Sequence, residues 1–271
     1  MEITSTQNPR IKQVVKLQEN SRERKKTGLF VAEGVRECSI ALQAGFNPTE
    51  IYICEKIYKP DNRYPITIPN TAFTVAPEVY EKIAYRSKVE GIVVVFESKF
   101  KKIEDIKFAD NSLILVIEKV EKPGNLGAIF RTADAAGVSA VIVCDPASDP
   151  YNPNAIRSSL GCILSVPWVV TDSKQAIDWL KKNGIKIIAS TPDTNSIYSK
   201  TDLTGSCAMV MGAEDEGLSP IWFNESDTLV RIPMQGKIDS LNVSVSAAVL
   251  LFEAVRQRGM NECTSTSSVC N

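Results

Sequence analysis

The 271-residue sequence contains no histidine. Any proton transfer must therefore use a carboxylate, lysine, tyrosine, cysteine, arginine or the substrate itself. Histidine is also excluded as a metal ligand, and the seven cysteines occur singly without a C-x-x-C pair, so we expect no metal site. Scattered cysteines without a disulfide framework are typical of reduced thiols in the cytosol, and we expect a cytoplasmic protein.

Long apolar runs are also missing from the sequence. No segment approaches the length of about 20 residues that crosses a bilayer, and residues 1–10 lack the apolar core of a secretory signal. We therefore expect no membrane partner. A hydrophobic content of 44% and a charged content of 23% are typical of a globular protein, and the length allows two domains of about 100–200 residues each.

The net charge of −1 argues against a protein that binds polyanions without specificity. The charge is, however, unevenly distributed along the chain. Residues 1–107 carry a net charge of +4, and residues 108–271 carry −5. The basic excess is densest in residues 1–26, where seven basic residues face three acidic ones. Such a cluster is typical of a phosphate-contacting surface, although a solvated helix face would also explain it.

Apolar strands alternate with helical segments along the whole chain, which predicts an α/β fold. Near-continuous apolar strands such as 113–117 imply a parallel sheet covered on both faces in the second half. The first half predicts a smaller α/β domain. Residues 260–271 are polar and without periodicity, which predicts disorder. The predicted divisions are a first domain at 1–98, a charged linker at 99–110, a second domain at 111–259 and a tail at 260–271.

The segment Glu121–Gly137 follows the first strand of the second domain, at the carboxyl edge where open α/β sheets bind ligands. A tight turn explains its proline and glycines, but it does not explain Asn125 or Arg131. Arg131 has apolar neighbours on its helix, and a guanidinium there must be paired or point into a cleft. The residue is either a functional group or a member of a structural ion pair.

Two further segments combine polar and small residues in the same way. In Met209–Ser219, two glycines bracket three acids, and small residues allow a close backbone approach. This is either a solvated acidic loop or a site in which Glu214 pairs with Arg131 or accepts from a ligand. In Ile232–Ala254, an irregular polar entry precedes a helix that we predict to be largely buried.

The entry to this last helix is suited to an adenine group. Pro233 and Gly236 predict an irregular connection with free backbone groups, while Met234 and Leu241 would supply an apolar wall. Ser240 could serve only as the helix N-cap, which is common. Asn242, predicted to lie in the first helical turn, is harder to explain by structure alone.

The order of these motifs resembles the three signature motifs of the SpoU/TrmH family in the SPOUT superfamily, whose members are S-adenosylmethionine-dependent RNA ribose 2′-O-methyltransferases. The resemblance covers about residues 110–258. Its departure is Lys122, where many relatives have Asp or Asn. The stretch from Gly28 to Arg36 also resembles the family's substrate-binding domain, whose fold is similar to that of certain ribosomal RNA-binding proteins. The matching motifs are Pro123-Gly-Asn-Leu-Gly with Arg131-Thr-Ala, Gly212-Ala-Glu with Gly217-Leu-Ser, and Ile232-Pro-Met with Ser240-Leu-Asn-Val-Ser-Val.

The resemblance implies a trefoil knot in the last third of the chain, a bent S-adenosylmethionine, and a homodimer with sites at the subunit interface. By position, the implied cofactor residues are Thr191, Gly212, Ile232, Met234 and Leu241. The implied catalytic residues are Asn125, Arg131, Glu214, Ser240 and Asn242. A family segment also matches Arg157, Ser159 and Gly161, without an assigned role.

Arg131 matches a family position for which a general-base role has been proposed. A guanidinium normally keeps its proton, because its pKa lies above about 12. We therefore hypothesise that Arg131 binds the phosphate beside the target ribose and that Glu214, Asn125 and Asn242 orient it.

The expected substrate is RNA, and the N-terminal resemblance favours ribosomal RNA over transfer RNA. A transfer RNA 2′-O-methyltransferase remains an alternative, as does a non-catalytic RNA-binding protein that keeps the fold. A nucleotide-dependent dehydrogenase is disfavoured, because the sequence lacks the glycine fingerprint and the acid about 20 residues beyond it.

Overall fold

The computed structural model describes residues 2–85 and 90–259. Two sequence predictions lie outside the described residues: the end of a predicted helix at Arg86 and the tail at 260–271. The chain forms two compact units, each built from several stretches. Among the described residues, the first unit comprises 2–85, 90–101, 120–131 and 146–167, and the second comprises 102–119, 132–145 and 168–259.

The first unit contains a mixed five-stranded sheet in the order β1-β4-β3-β5-β2. Strand β5 pairs antiparallel with β2 and β3, whereas β4 pairs parallel with β1 and β3. The strands are β1 Glu2–Ile3, β2 Leu29–Glu33, β3 Pro48–Ile53, β4 Phe73–Val75 and β5 Ile92–Glu97. A small α/β unit was predicted here, and its alternating strands and helices are present.

Helices α1 and α2 follow one another directly at the start of the first unit. Asn20 ends α1 and caps α2, since its side chain accepts a hydrogen bond from the Arg22 N–H at 2.9 Å. The helices of this part of the chain are α1 Pro9–Glu19, α2 Ser21–Thr27, α3 Val35–Gln43, α4 Pro77–Ile83, α5 Pro123–Ala135, α6 Pro153–Ser158 and α7 Cys162–Ser165. Of these, α5 begins in the first unit and ends in the second.

The basic cluster at the N-terminus is divided by the fold into buried and exposed members. Arg24 is only 3% exposed. Its Nε donates to Asp149 at 2.7 Å and its Nη1 to the Leu17 carbonyl at 2.6 Å. Arg10 is paired with Glu50. Arg24 is therefore a structural cation, and the sequence alone did not separate it from its exposed neighbours.

The second unit contains a six-stranded sheet in the order β11-β9-β10-β6-β7-β8, in which every pairing is parallel. This confirms the predicted parallel sheet. The strands are β6 Leu113–Glu118, β7 Ala140–Cys144, β8 Trp168–Thr171, β9 Lys186–Ser190, β10 Cys207–Met211 and β11 Thr228–Val230. The remaining helices are α8 Ser173–Lys182, α9 Pro220–Glu225 and α10 Val243–Gln257.

Most of helix α10 is buried or half-buried, as predicted, but Val245, Phe252 and Arg256 are exposed. Ala247, Leu250 and Leu251 are fully buried, whereas Val245 and Phe252 are 47% and 44% exposed. Residues seven apart lie on the same side of a helix. The helix therefore carries an apolar stripe that the described part of this single chain leaves open to solvent.

No helix in residues 2–85 or 90–259 combines the length and the apolar character that a membrane span requires.

Candidate active site

The site is built on the carboxyl edge of the parallel sheet. Strands β6, β9, β10 and β11 all end at this edge because they run in the same direction. Open α/β sheets bind ligands there, beside the point where the strand order reverses. Glu118 is the last residue of β6, while Thr191 and Gly212 directly follow β9 and β10. Thr191 is held in place because its N–H donates to the Val230 carbonyl at 2.9 Å.

The structure brings five predicted residues around one small pocket in the second unit. They are Thr191, Ile232, Met234, Ser240 and Leu241. Four neighbours complete the lining, namely Ser190, Pro192, Asp239 and Ser246.

The chemistry of this lining fits an adenosine group. Ile232, Met234 and Leu241 supply apolar surface for a flat ring, and the hydroxyl and carboxylate groups around them match ribose hydroxyls. The pocket volume is about 60 Å³, whereas small-molecule sites usually reach about 300–1,000 Å³. The enclosed space therefore holds only part of a ligand of that size.

Gly212 lies at the edge of the sheet but outside the lining of this pocket. It opens a loop that closes on itself, because Ala213 and Gly217 exchange two backbone hydrogen bonds of 3.1 Å. A Cβ on Gly212 would lie 2.2 Å from the Gly217 carbonyl carbon. Glycine is thus required here by close backbone approach, as the sequence indicated. The loop carries Glu214, which is half-buried.

The carboxylate of Glu118 holds Ser219, just beyond the end of this loop. Glu118 was not among the predicted site residues. Glu118 is 1% exposed. It accepts hydrogen bonds from the Ser219 N–H at 2.8 Å, the Ser219 hydroxyl at 2.6 Å and the Ser173 hydroxyl at 2.8 Å. A buried charge needs such partners. The signal in the sequence was an acid closing an otherwise apolar strand.

The Glu118 network extends to the neighbouring strand. The Ser173 hydroxyl also lies 2.7 Å from Asp145 Oδ2, and it accepts from Trp222 Nε1 at 3.3 Å. Its single hydrogen can satisfy only one carboxylate at a time. Burial, reinforced by the charges of Asp145 and Glu118, raises the pKa of the Cys144 thiol. Cys144 therefore stays protonated and is unsuited to act as a base.

The start of α10 differs from the sequence prediction. Asn242, rather than Ser240, is the N-cap: its Oδ1 accepts from the Ser244 N–H at 3.0 Å. The helix therefore begins two residues after Leu241. Ser240 is exposed and its hydroxyl donates to Asp239 at 3.2 Å. Asn242 thus has a structural role that does not depend on any ligand.

The remaining predicted catalytic residues lie on α5. Asn125 is half-buried in the first turn, and Arg131 is exposed. Both belong to the first unit, whereas Glu214, Ser240 and Asn242 belong to the second. Gly127 is fixed by a close contact, since a Cβ there would lie 2.1 Å from the Ser158 hydroxyl. Gly127 therefore lies within α5 rather than in a tight turn, and glycine is needed there for close packing.

Arg157, Ser159 and Gly161, which match a further family segment, contact neighbouring residues within the first unit. Gly161 adopts φ +89°, a left-handed conformation that favours glycine. The Ser159 hydroxyl is buried and donates to the Ile156 carbonyl at 2.8 Å. Arg157 Nη2 donates to Asn154 at 2.8 Å, and its guanidinium lies 5.6 Å from the Tyr85 ring centre.

The second unit is thus a parallel α/β sheet with a partly apolar, hydroxyl-rich pocket at its carboxyl edge, which is where open α/β sheets bind ligands. Residues 112–252 match the model of the SpoU rRNA Methylase family. The chain belongs to this family. Residues 8–94 match the model of the MRM3-like substrate binding domain.

Similar proteins extend the match to nearly the whole chain. The 23S rRNA (uridine(2479)-2′-O)-methyltransferase of Streptomyces viridochromogenes is 30% identical over 264 residues, covering 94% of this chain and 92% of that protein. The 23S rRNA (guanosine(2553)-2′-O)-methyltransferase RlmP of Bacillus subtilis strain 168 is 28% identical over 253 residues, covering 93% and 98%. The crystal structure of the SpoU methyltransferase AviRb from Streptomyces viridochromogenes with AdoMet has a TM-score of 0.83 at 28% identity, covering 93% and 98%.

Proposed function

We propose that this protein transfers a methyl group from S-adenosylmethionine to a ribose 2′-hydroxyl of ribosomal RNA. The observation that carries the proposal is family membership together with the pocket at the carboxyl edge of the sheet, where Thr191, Ile232, Met234 and Leu241 meet. Two relatives that match over more than nine-tenths of their length are named as 23S rRNA 2′-O-methyltransferases. One acts on a uridine and the other on a guanosine, so the target base is left unassigned.

The pocket residues would hold the adenosine part of the cofactor. Ile232, Met234 and Leu241 would contact the ring, and backbone groups near Pro233 would read its edge. Gly212 would allow the loop after β10 to lie close to the ligand. When bound, the cofactor supplies an electrophilic methyl group on a sulfonium. The protein's main task is then alignment of the attacking oxygen, which in favourable cases lowers a barrier by about 7–11 kcal/mol.

Arg131 would bind the phosphate beside the target ribose. A guanidinium offers two parallel hydrogen bonds to a phosphate, so it fixes position as well as supplying charge. Its positive charge also lowers the cost of the negative charge that develops on the ribose oxygen while the hydroxyl proton passes to solvent water. Asn125, Glu214, Ser240 and Asn242 complete the proposed catalytic set.

The wider organisation is part of the same proposal. Residues 1–98 would bind the RNA, residues 111–259 would carry the reaction, and the last third would contain a trefoil knot. The protein would act in the cytoplasm as a homodimer. The exposed apolar stripe at Val245 and Phe252 supports a dimer, because exposed apolar surface of this kind can be buried against a second subunit.

The test is methyl transfer from labelled S-adenosylmethionine to ribosomal RNA and, separately, to transfer RNA. Both RNAs are purified from a strain that lacks this protein, and the labelled nucleotide is then mapped. We expect label on a ribose of ribosomal RNA. Label on transfer RNA alone would establish the alternative substrate. A protein that binds no S-adenosylmethionine in calorimetry would be the non-catalytic alternative.

The role of Arg131 is tested by two variants. Arg131→Ala should abolish turnover but leave cofactor affinity unchanged, because the side chain contacts RNA in this proposal. Arg131→Lys should also lose most activity, because an ammonium cannot replace the planar fork. Near-normal turnover by Arg131→Lys would refute the bidentate role, and lost cofactor affinity would move Arg131 to the cofactor pocket.

A further inference from the structure

The first unit contains an open groove well away in sequence from the cofactor motifs. Its volume is about 650 Å³, which is within the usual range for ligand sites. It lies between the start of α3, the segment before β5 and the long connection from β3 to β4. The groove is lined by Val35, Arg36, Ile57, Lys59, Pro60, Asp61, Asn62, Arg63, Tyr64 and Glu90. We call it the loop groove.

The connection that forms the loop groove is fixed by contacts at several points. Gly91 adopts φ +78°, and a Cβ there would lie 2.3 Å from the Tyr58 nitrogen, so the start of the loop packs directly on the backbone before β5. The Ser39 hydroxyl donates to the Pro65 carbonyl at 3.1 Å, and the Tyr64 N–H donates to the Asp61 carbonyl at 3.0 Å. A ligand would therefore meet a largely preformed surface, with little ordering cost.

Both acids of the loop groove already have a partner. Asp61 accepts from Arg63 Nε at 3.1 Å and from Nη2 at 2.8 Å, and the guanidinium beside it holds the pKa of Asp61 below its usual value. Glu90 accepts from the Val35 N–H at 2.8 Å. The carboxylates are therefore engaged within the protein, which limits their repulsion of an anionic ligand.

The three cations of the loop groove retain donors. Arg63 uses two of the five N–H groups of a guanidinium on Asp61, and its side chain is 76% exposed. Arg36 donates through Nη2 to Glu37 at 3.2 Å, and its side chain is 31% exposed. Lys59 is exposed. The Arg63 guanidinium also lies 5.9 Å from the Tyr64 ring centre.

A cationic groove with an aromatic ring matches single-stranded nucleic acid. Backbone phosphates require fixed guanidinium and ammonium groups, and a base that has left its stack can lie on an aromatic or guanidinium plane. A duplex offers phosphates, 2′-hydroxyls and base edges, but its bases are already stacked on one another and cannot lie on the ring. Asn62 adds an amide that can both donate to and accept from a base edge.

We propose that the loop groove binds unpaired nucleotides of the RNA substrate, with phosphates on Arg36, Lys59 and Arg63 and a base against Tyr64. This deepens the proposed function and rests on it, since it assumes that the substrate is RNA. The groove would select substrates in which a loop or bulge lies near the ribose to be methylated.

The experiment measures binding of the full chain to a labelled oligouridylate of about eight nucleotides and to a blunt duplex of similar length. Binding is followed by fluorescence anisotropy without cofactor. We expect the single strand to bind more tightly than the duplex. Lys59→Glu should weaken the single strand about tenfold or more, and Tyr64→Leu should do the same through lost stacking.

The matched control for charge is Lys56→Glu, which makes the same change in the same loop outside the groove lining. The control for folding is Tyr64→Phe, which keeps the ring and should bind like wild type. Equal weakening by Lys56→Glu and Lys59→Glu, or unchanged binding by Tyr64→Leu, would overturn the proposal. Cofactor affinity of the wild type is measured separately, so failure of the methyltransferase function would be recognised independently of the groove.

Discussion

Replacing Gly212 by alanine would test the geometry of the loop after β10. The added Cβ would lie 2.2 Å from the Gly217 carbonyl carbon and 2.5 Å from the Leu218 nitrogen. Both are backbone atoms, so no side-chain rotation relieves the clash. Ordinary contact distances begin near 3.4 Å, so one side of the loop must move by about 1 Å, which would strain the hydrogen bonds between Ala213 and Gly217.

The expected loss of stability follows from these contacts. Overpacking costs about 1–3 kcal/mol, and a weakened hydrogen bond adds about 0.5–1.5 kcal/mol. We therefore expect Gly212→Ala to lower the free energy of unfolding by about 2–4 kcal/mol, measured by urea denaturation. If the loop also positions a reacting group, a displacement of about 1 Å can reduce turnover by about 100-fold.

Gly236→Ala is the control, because it adds the same methyl group in a neighbouring connection where no atom lies within 4 Å of the new Cβ. It should change stability by less than about 0.5 kcal/mol. If the two variants unfold at the same urea concentration and their unfolding free energies depend equally steeply on urea, the close approach at Gly212 does not exist in solution.

Three further predictions concern other contacts. Glu118→Gln should lose about 2–3 kcal/mol of stability, because Ser219 donates to both carboxylate oxygens whereas a glutamine amide has only one acceptor oxygen; a loss under about 1 kcal/mol in urea would contradict this. Gly127→Ala should lose about 2–3 kcal/mol, whereas Gly124→Ala, whose Cβ would lie 3.9 Å from its nearest neighbour, should be tolerated; similar melting curves would refute the difference. Hydrogen bonds from Arg256 and Gln257 lower the pKa of Glu253 to about 2. Its contribution to stability should be complete above its unfolded pKa near 4.3 and disappear as the pH falls towards 2. The difference between wild type and Glu253→Gln should therefore shrink over that window, and a constant difference would disprove the coupling.

Much of the second unit could be predicted from the sequence because its strands are apolar at nearly every position. Such runs indicate strands buried on both faces, and these occur in parallel sheets. The strand order could not be predicted, because pairing joins β6 to β10 across a long stretch of chain. Helix α9 was missed because its six residues show too little periodicity to distinguish a helix from a loop.

The candidate site was only partly predictable. The resemblance to the family supplied Thr191 and Ile232 as pocket residues, whereas the irregular entry to α10 had already pointed to Met234 and Leu241 as an apolar wall. The role of Asn242 as an N-cap could not be predicted, because it depends on the residue at which α10 begins. A sequence pattern fixes a helix boundary only to within one or two residues. Glu118 was missed because its partners Ser173 and Ser219 lie far away along the chain.

Strand β6 lies between β7 and β10 in the sheet, and the ribosome synthesises these two strands at very different times. On one side β6 pairs with β7, which follows soon after it in the sequence. On the other side β6 pairs with β10, which begins at Cys207, about 90 residues after Leu113. Loop closure over such a distance is slow. The nascent chain must therefore keep one strand edge unpaired while the intervening residues emerge from the ribosome. Protection of that edge against aggregation, by chaperones or by temporary local structure, becomes a requirement for producing this protein in cells.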